Sequence, residues 1–298
     1  MASAEAMRIV DAHTHAFRDA AMAKLWLGPD GKRTGDLGEL RALLDEAGID
    51  KAVVLLFHRS AELYEEELKA GSAPDVAREM VRAAIRSYNR WGCEAAANEP
   101  RFLPFIGVNP RFMSPDEVDA EIRWGKAMGA VGVKIIPNRL KAYANDPLLT
   151  PVFRSCTDMG MPLLSQSGSY GMVPASQGDP FGHPKYFQDV LEQFPQLHLI
   201  LAHMGHGYEK DVANLTRQFP NVFTDTSLRL SRLGSSGNWS ASEVVDAIRS
   251  IGVDRVLFGS NYPFVNPVGY VKTLESLPLT DGERRQIASG NFERLMST

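Results

Sequence analysis

The first residues that could do chemistry are Asp11-Ala12-His13-Thr14-His15. In an extended chain, residues two apart point to the same side, so Asp11, His13 and His15 would form one line. Two neutral imidazoles at that separation can share one divalent cation. Alternatively, they only hydrogen-bond to their neighbours. Lys134, in Gly132-Val133-Lys134, lies inside an apolar run, where a lysine rarely sits without a partner. It either reaches out to the rim or receives a substrate carboxylate or oxyanion. Asp225, in Thr224-Asp225-Thr226, could orient His203 or a ligand-bound water, or could satisfy backbone groups.

These residues need elements to position them. Eight short runs, mostly apolar, punctuate the chain: Met7–His13, Ala52–Phe57, Phe102–Val108, Val131–Ile136, Pro162–Gln166, His198–His203, Val222–Thr226 and Val256–Ser260. Their near-continuous apolar character predicts parallel strands buried on both faces. Helices are predicted between them at Glu39–Ala47, Asp75–Glu99, Pro147–Met159, Pro184–Gln193, Tyr208–Gln218 and Ser242–Ser250, with others starting at Ser114 and Thr280. Gly48 reads as a C-cap, Ser114-Pro115-Asp116-Glu117 as a helix start and Ser242 as an N-cap. Phe17–Gly35, Tyr143–Leu149 and Gly168–Gly182 read as rim loops.

Alternating strands and helices predict one α/β domain over residues 1–298, a single (β/α)8 TIM-type barrel. The competitor, a doubly wound open sheet, announces itself with a glycine-rich loop after the first strand, and His13 stands there instead. Of the seven histidines, six fall at or after a strand's C-terminal end: His13, His15, His58, His183, His203 and His206. That is the rim where barrel enzymes keep their active site. His198 sits at a strand start.

The formal net charge of −4 gives no reason to expect nucleic acid or an anionic membrane as a partner. Cys93 and Cys156 have no metal-binding spacing and are expected as reduced thiols of a cytoplasmic protein. Met1–Met7 does not read as a signal peptide, and the run Ala52–Phe57 is too short to span a bilayer. The expected partner is a small-molecule substrate, with a homo-oligomer left open.

Taken together, the motifs resemble the amidohydrolase superfamily, most closely its amidohydrolase-related branch, which includes aminocarboxymuconate-semialdehyde decarboxylase. The resemblance runs over essentially the whole chain. It is carried by Asp11–His15, Gly132–Pro137, Pro162–Gly168, Leu201-Ala202-His203-Met204-Gly205, Asp225-Thr226-Ser227 and Asp254–Pro263. It implies that His13 and His15 are metal ligands and that His203 polarises or protonates the substrate. Two positions depart from the family pattern. Gln166 stands where the fifth strand usually supplies a metal-binding histidine, and Asn261 where the eighth supplies an aspartate.

Both departures put neutral amides where an imidazole and a negative charge are usual. The expected cofactor is therefore at most one weakly held divalent metal, zinc first, or none. Asn261 cannot accept a proton at neutral pH, but its NH2 can donate to an anion. The leading expectation is a hydrolase of a small carboxylated or cyclic molecule, a lactone, ester or amide. His203 and Asn261 would be catalytic, and Lys134, Gln166, His58 and Asp225 would hold substrate. The first alternative is a lyase, a non-oxidative decarboxylase or cyclising enzyme on an aromatic acid. The second is a binding barrel that has lost its chemistry.

Overall fold

The computed structural model describes residues 7–28, 33–168, 180–235 and 238–297. All eight apolar runs form strands: β1 (Val10–Thr14), β2 (Lys51–Leu56), β3 (Phe102–Gly107), β4 (Gly132–Ile135), β5 (Leu163–Ser165), β6 (Leu199–Leu201), β7 (Val222–Asp225) and β8 (Val256–Leu257). They pair in chain order, each parallel to the next. Closure comes from the segment just after β8. A parallel bridge joins Thr14 to Tyr262. Ala12 N–H donates to Phe258 O at 2.8 Å, Asn261 N–H to His13 O at 2.8 Å, and His15 N–H to Tyr262 O at 2.7 Å. The barrel is thus a single (β/α)8 fold whose seam runs beside the histidine pair.

Strand alternation divides the side chains into two apolar sets. Val53, Leu55, Phe105, Leu164, Ile200, Phe223 and Leu257 pack together with Phe292 and Leu295 of the last helix. The alternate residues, such as Val54, Ile106, Val133, Leu199 and Val256, pack in a second cluster with the surrounding helices. Residues two apart share a side. Gln166 therefore follows Leu164, and Asp225 follows Phe223, at the C-terminal end of the same inward row.

Several helix ends follow their sequence signals. Ser114 and Glu117 form a capping box at Pro115–Ala127, and Gly48 adopts a left-handed conformation after Leu37–Ala47. One cap differs from expectation. Ser240, not Ser242, caps Ala241–Ile251, because only Ser240 has Glu243 three residues on to complete a reciprocal box. The rim segment Phe17–Gly35 contains a helix, Ala20–Leu27, capped by the Asp19 side chain. Helices Ser60–Lys69 and Pro267–Ser276 also add to those expected. Within the loop expected at Gly168–Gly182, residues 169–179 lie outside the described residues, as do residues 1–6 of the N-terminus.

Among the described residues, no helix is long and apolar enough to cross a membrane. Cys93 and Cys156 are buried free thiols.

Candidate active site

The centre of the site is a hydrogen-bonded core rather than a row. His13 and His15 have ring centroids 5.3 Å apart, and His13 and His203 4.9 Å. Asp11 leaves the expected line. The register of β1 shifts between Asp11 and Thr14, and the Asp11 carboxyl accepts from the backbone N–H groups of His13 and Ser260.

Asp225 ties the core together. Its Oδ2 accepts from His13 Nδ1 at 2.9 Å. Its Oδ1 accepts from His203 N–H at 3.1 Å, from Ser227 N–H at 3.0 Å and from the Ser227 hydroxyl. A carboxylate only accepts, so His13 keeps its proton on Nδ1 and leaves Nε2 bare. His203 is wired differently. Its Nδ1 meets Ser227 Oγ at 2.6 Å and its Nε2 meets Gln166 Oε1 at 3.0 Å. An amide oxygen only accepts, so in the neutral ring the proton sits on His203 Nε2 and Nδ1 is the acceptor; the single Ser227 hydroxyl proton serves either that Nδ1 or Asp225 Oδ1.

Three non-glycine residues of the cavity wall lie in the left-handed region: His203 (φ 62°), Leu228 (φ 65°) and Asn261 (φ 66°). Such backbone costs energy and persists only where neighbours hold it. Here Asp225 holds the His203 N–H and His13 O holds the Asn261 N–H.

Burial shapes the charges. It opposes ionisation of Asp225, but His13, its hydrogen bond and His203 outweigh it and hold the carboxyl below its usual range. Burial pushes His13 down, with Asp225 opposing, and pushes His15 and His203 well down. Burial therefore disfavours the charged form of all three imidazoles. Burial also pushes Lys134 down to about 7, against the pull of Asp225. Its Nζ is buried without a hydrogen-bond partner among the described residues.

A cavity of about 420 Å³ opens on this core. Of the expected site residues, His13, His15, Lys134, Gln166, His203 and Asn261 all line it. Asp225 and His58 do not. Asp225 is fully buried and bonds to His13 instead of facing the cavity. His58 faces a smaller neighbouring cavity of about 90 Å³, with Tyr88 6.4 Å away between ring centroids. Trp26, Arg59, Arg139, Leu228 and Phe264 complete much of the wall and were absent from the sequence expectation. Arg59 and Arg139 follow β2 and β4 closely, so position on the rim was a signal for both. Trp26 lies in Phe17–Gly35, which reads as a rim loop, but nothing in that loop singled out the residue. No Asp or Glu lines the cavity among the described residues.

The donor chemistry fits a divalent ion in part. The bare Nε2 of His13, backed by Asp225, is the form in which a histidine ligates metal, and burial disfavours charge on His15 beside it. Gln166 and Asn261 add only amide oxygens, hard donors that suit manganese or magnesium better than zinc. Ligand atoms of His13, His203 and Asp225 fall within 4.8 Å of one another, but both Asp225 oxygens are already engaged. His13 and His15 are the residues that would hold an ion, with no anionic ligand lining the cavity beside them among the described residues.

Known proteins agree with this architecture. A family model described as amidohydrolase matches residues 10–296. Gamma-resorcylate decarboxylase of Polaromonas sp. is 27% identical over 117 residues, 36% of each chain, so the match spans about a third of that relative. The crystal structure of 5-carboxyvanillate decarboxylase from Sphingomonas paucimobilis matches with a TM-score of 0.72 at 18% identity, covering 98% of this chain and 99% of that one. A dihydroxybenzoic acid decarboxylase from Polaromonas sp., with bound manganese and 2-nitroresorcinol, matches at 0.71 and 19%, covering 98% and 97%. These relatives overturn the hydrolase expectation: their names are those of lyases. The site agrees with this: among the described residues, the cavity wall carries no carboxylate base to activate water. With the barrel, the rim histidines and a model match over nearly its whole length in agreement, the chain belongs to the amidohydrolase family.

Proposed function

We propose that the protein is a cytoplasmic lyase that removes CO2 from a hydroxylated aromatic acid without oxidation. The observation that carries this reading is His203, whose Nε2 lies 3.0 Å from the Gln166 amide oxygen at the edge of a cavity lined by Lys134 and aromatic rings, with no Asp or Glu among the described residues of its wall. The partial match to gamma-resorcylate decarboxylase supports it.

A carboxylate entering the cavity meets Lys134 Nζ, which has no internal partner to give up. An anion beside Lys134 and His203 favours their protonated forms. Protonated His203 can donate from Nδ1 to Ser227, whose hydroxyl donates to Asp225, so the buried carboxylate stabilises the imidazolium through one hydroxyl. His203 Nε2 then delivers its proton to the ring carbon bearing the carboxylate. The carbon–carbon bond breaks, its electron pair stays with the ring, and CO2 leaves. Asn261 and Gln166 donate or accept around the ring's oxygen substituents. A divalent ion on His13 and His15 would supply positive charge for those oxygens.

The test is turnover of 2,6-dihydroxybenzoate and related hydroxybenzoates in D2O. Release of CO2 with deuterium at the vacated ring carbon is the expected result. Consumption of a substrate with solvent oxygen in the product and no CO2 would overturn the reading.

A further inference from the structure

His13 and His15 are held in different ways. Asp225 backs His13 with a hydrogen bond at 2.9 Å, whereas among the described residues no carboxylate bonds to His15. The Leu55 carbonyl attracts one edge of the His15 ring. One such contact constrains a ring plane weakly, because hydrogen-bond angles at a carbonyl are broadly distributed. The other neighbours of His15 are aromatic. Trp26 lies over it at 6.1 Å between centroids with 23° between planes. Phe264 meets it edge-on at 5.9 Å and 85°, and His13 at 5.3 Å and 65°. Phe264 is 45% exposed, so it is a weak wall. Trp26 is the neighbour that covers the flat face of the imidazole.

Trp26 is itself wedged. Phe17 stacks on it at 6.2 Å and 15° and is buried. Phe17 stands two residues beyond His15, so the indole lies across both rings. Phe17 packs this closely because Gly35, at φ 66°, has no side chain: a Cβ there would sit 2.6 Å from Phe17 Cδ2. The guanidinium carbons of Arg59 and Arg139 lie 5.8 and 4.8 Å from the centre of the indole and add cation–π attraction. Arg59 Nη1 also donates to Leu25 O, in the last turn of the helix that carries Trp26. Ala23 is the one fully buried residue of that helix, and Trp26 is the ring through which it reaches His15.

We propose that Trp26 is a positioning residue. Its indole fixes the plane of the His15 imidazole, as Asp225 fixes that of His13, and the rim helix Ala20–Leu27 thereby completes the pair that would hold an ion. Stacking suits this role, because offset aromatic pairs favour a definite mutual geometry and leave the ring nitrogens unoccupied. The assignment concerns the histidine pair and holds whichever reaction the site runs.

The test compares crystal structures and Mn2+ affinities of chelator-treated unaltered protein, Trp26→Leu and Trp26→Phe, with thermal melts to confirm folding. In Trp26→Leu the His15 ring should turn or split between orientations. Mn2+ should bind about tenfold or more weakly by calorimetry, the loss seen when a group that orients a histidine ligand is removed. Trp26→Phe restores a flat face and should return His15 to one plane with most of the affinity. His15 keeping its single plane in Trp26→Leu would overturn the proposal, and so would an unchanged Mn2+ affinity. The ring plane is read whether or not the unaltered protein takes up Mn2+. Trp26 is only half-buried, so its replacement spares the core, and Trp26→Met gives the same comparison if leucine proves destabilising.

Discussion

Asp225 Oδ2 accepts a hydrogen bond from His13 Nδ1 at 2.9 Å, although 212 residues separate them in the chain. This contact sets the tautomer of His13 and, through the other carboxylate oxygen, anchors the backbone of His203. Asp225→Asn keeps the shape but lets the amide donate towards His13. kcat/KM for the proposed decarboxylation should fall about 100-fold, as when a carboxylate behind a functional histidine is lost. Steady-state kinetics, with circular dichroism to confirm folding, check this.

His203→Gln removes the proposed proton donor and should lower kcat by about 10²–10⁴-fold with a small change in KM. Ser227→Ala cuts the link between His203 and Asp225 and should cost about tenfold, with a shifted pH–rate profile. A profile identical to that of the unaltered enzyme would argue that Ser227 only packs.

Asn261→Asp places an anionic oxygen beside His13 and His15. Affinity for Mn2+ should rise about tenfold or more, measured by calorimetry on chelator-treated protein. Gln166→His should add to it, since imidazole replaces a poor amide ligand.

His58 provides a pH test away from the site. Burial, with Arg18 adding, pushes its pKa down to about 4 from 6.5. Between those values the unfolded chain binds a proton that the folded chain refuses, so stability falls as pH drops from 6.5 towards 4. His58→Gln should flatten that part of the profile, read from urea midpoints at pH 7 and pH 5.

Gly107 is the last residue of β3. A Cβ there would sit 2.1 Å from Leu56 O and 3.0 Å from Phe57 Cα. Gly107→Ala should cost about 3 kcal/mol, since a backbone carbonyl cannot yield as a side chain can. A thermal melt unchanged within a degree would contradict this.

Sequence alone determined the barrel. Eight buried strands write themselves as apolar runs, and the helices between them as capped periodic stretches, because burial of a whole face is a local property of composition. His13, His15, Lys134, Gln166, His203 and Asn261 were legible for a similar reason: each stands at or just past a strand's C-terminal end, and all parallel strands end on one rim. Tertiary structure decided the rest. Nothing in the chain order says that Asp225 faces His13, that His58 turns to a separate cavity, or that Arg59 and Arg139 converge on Trp26. Those relations depend on the rotation of each strand end and on a helix inserted at Ala20–Leu27. Strand closure sets the first, and packing across the rim sets the second. The charges followed the same division: the titratable residues are written in the chain, but their protonation is decided by burial and by partners brought from other strands.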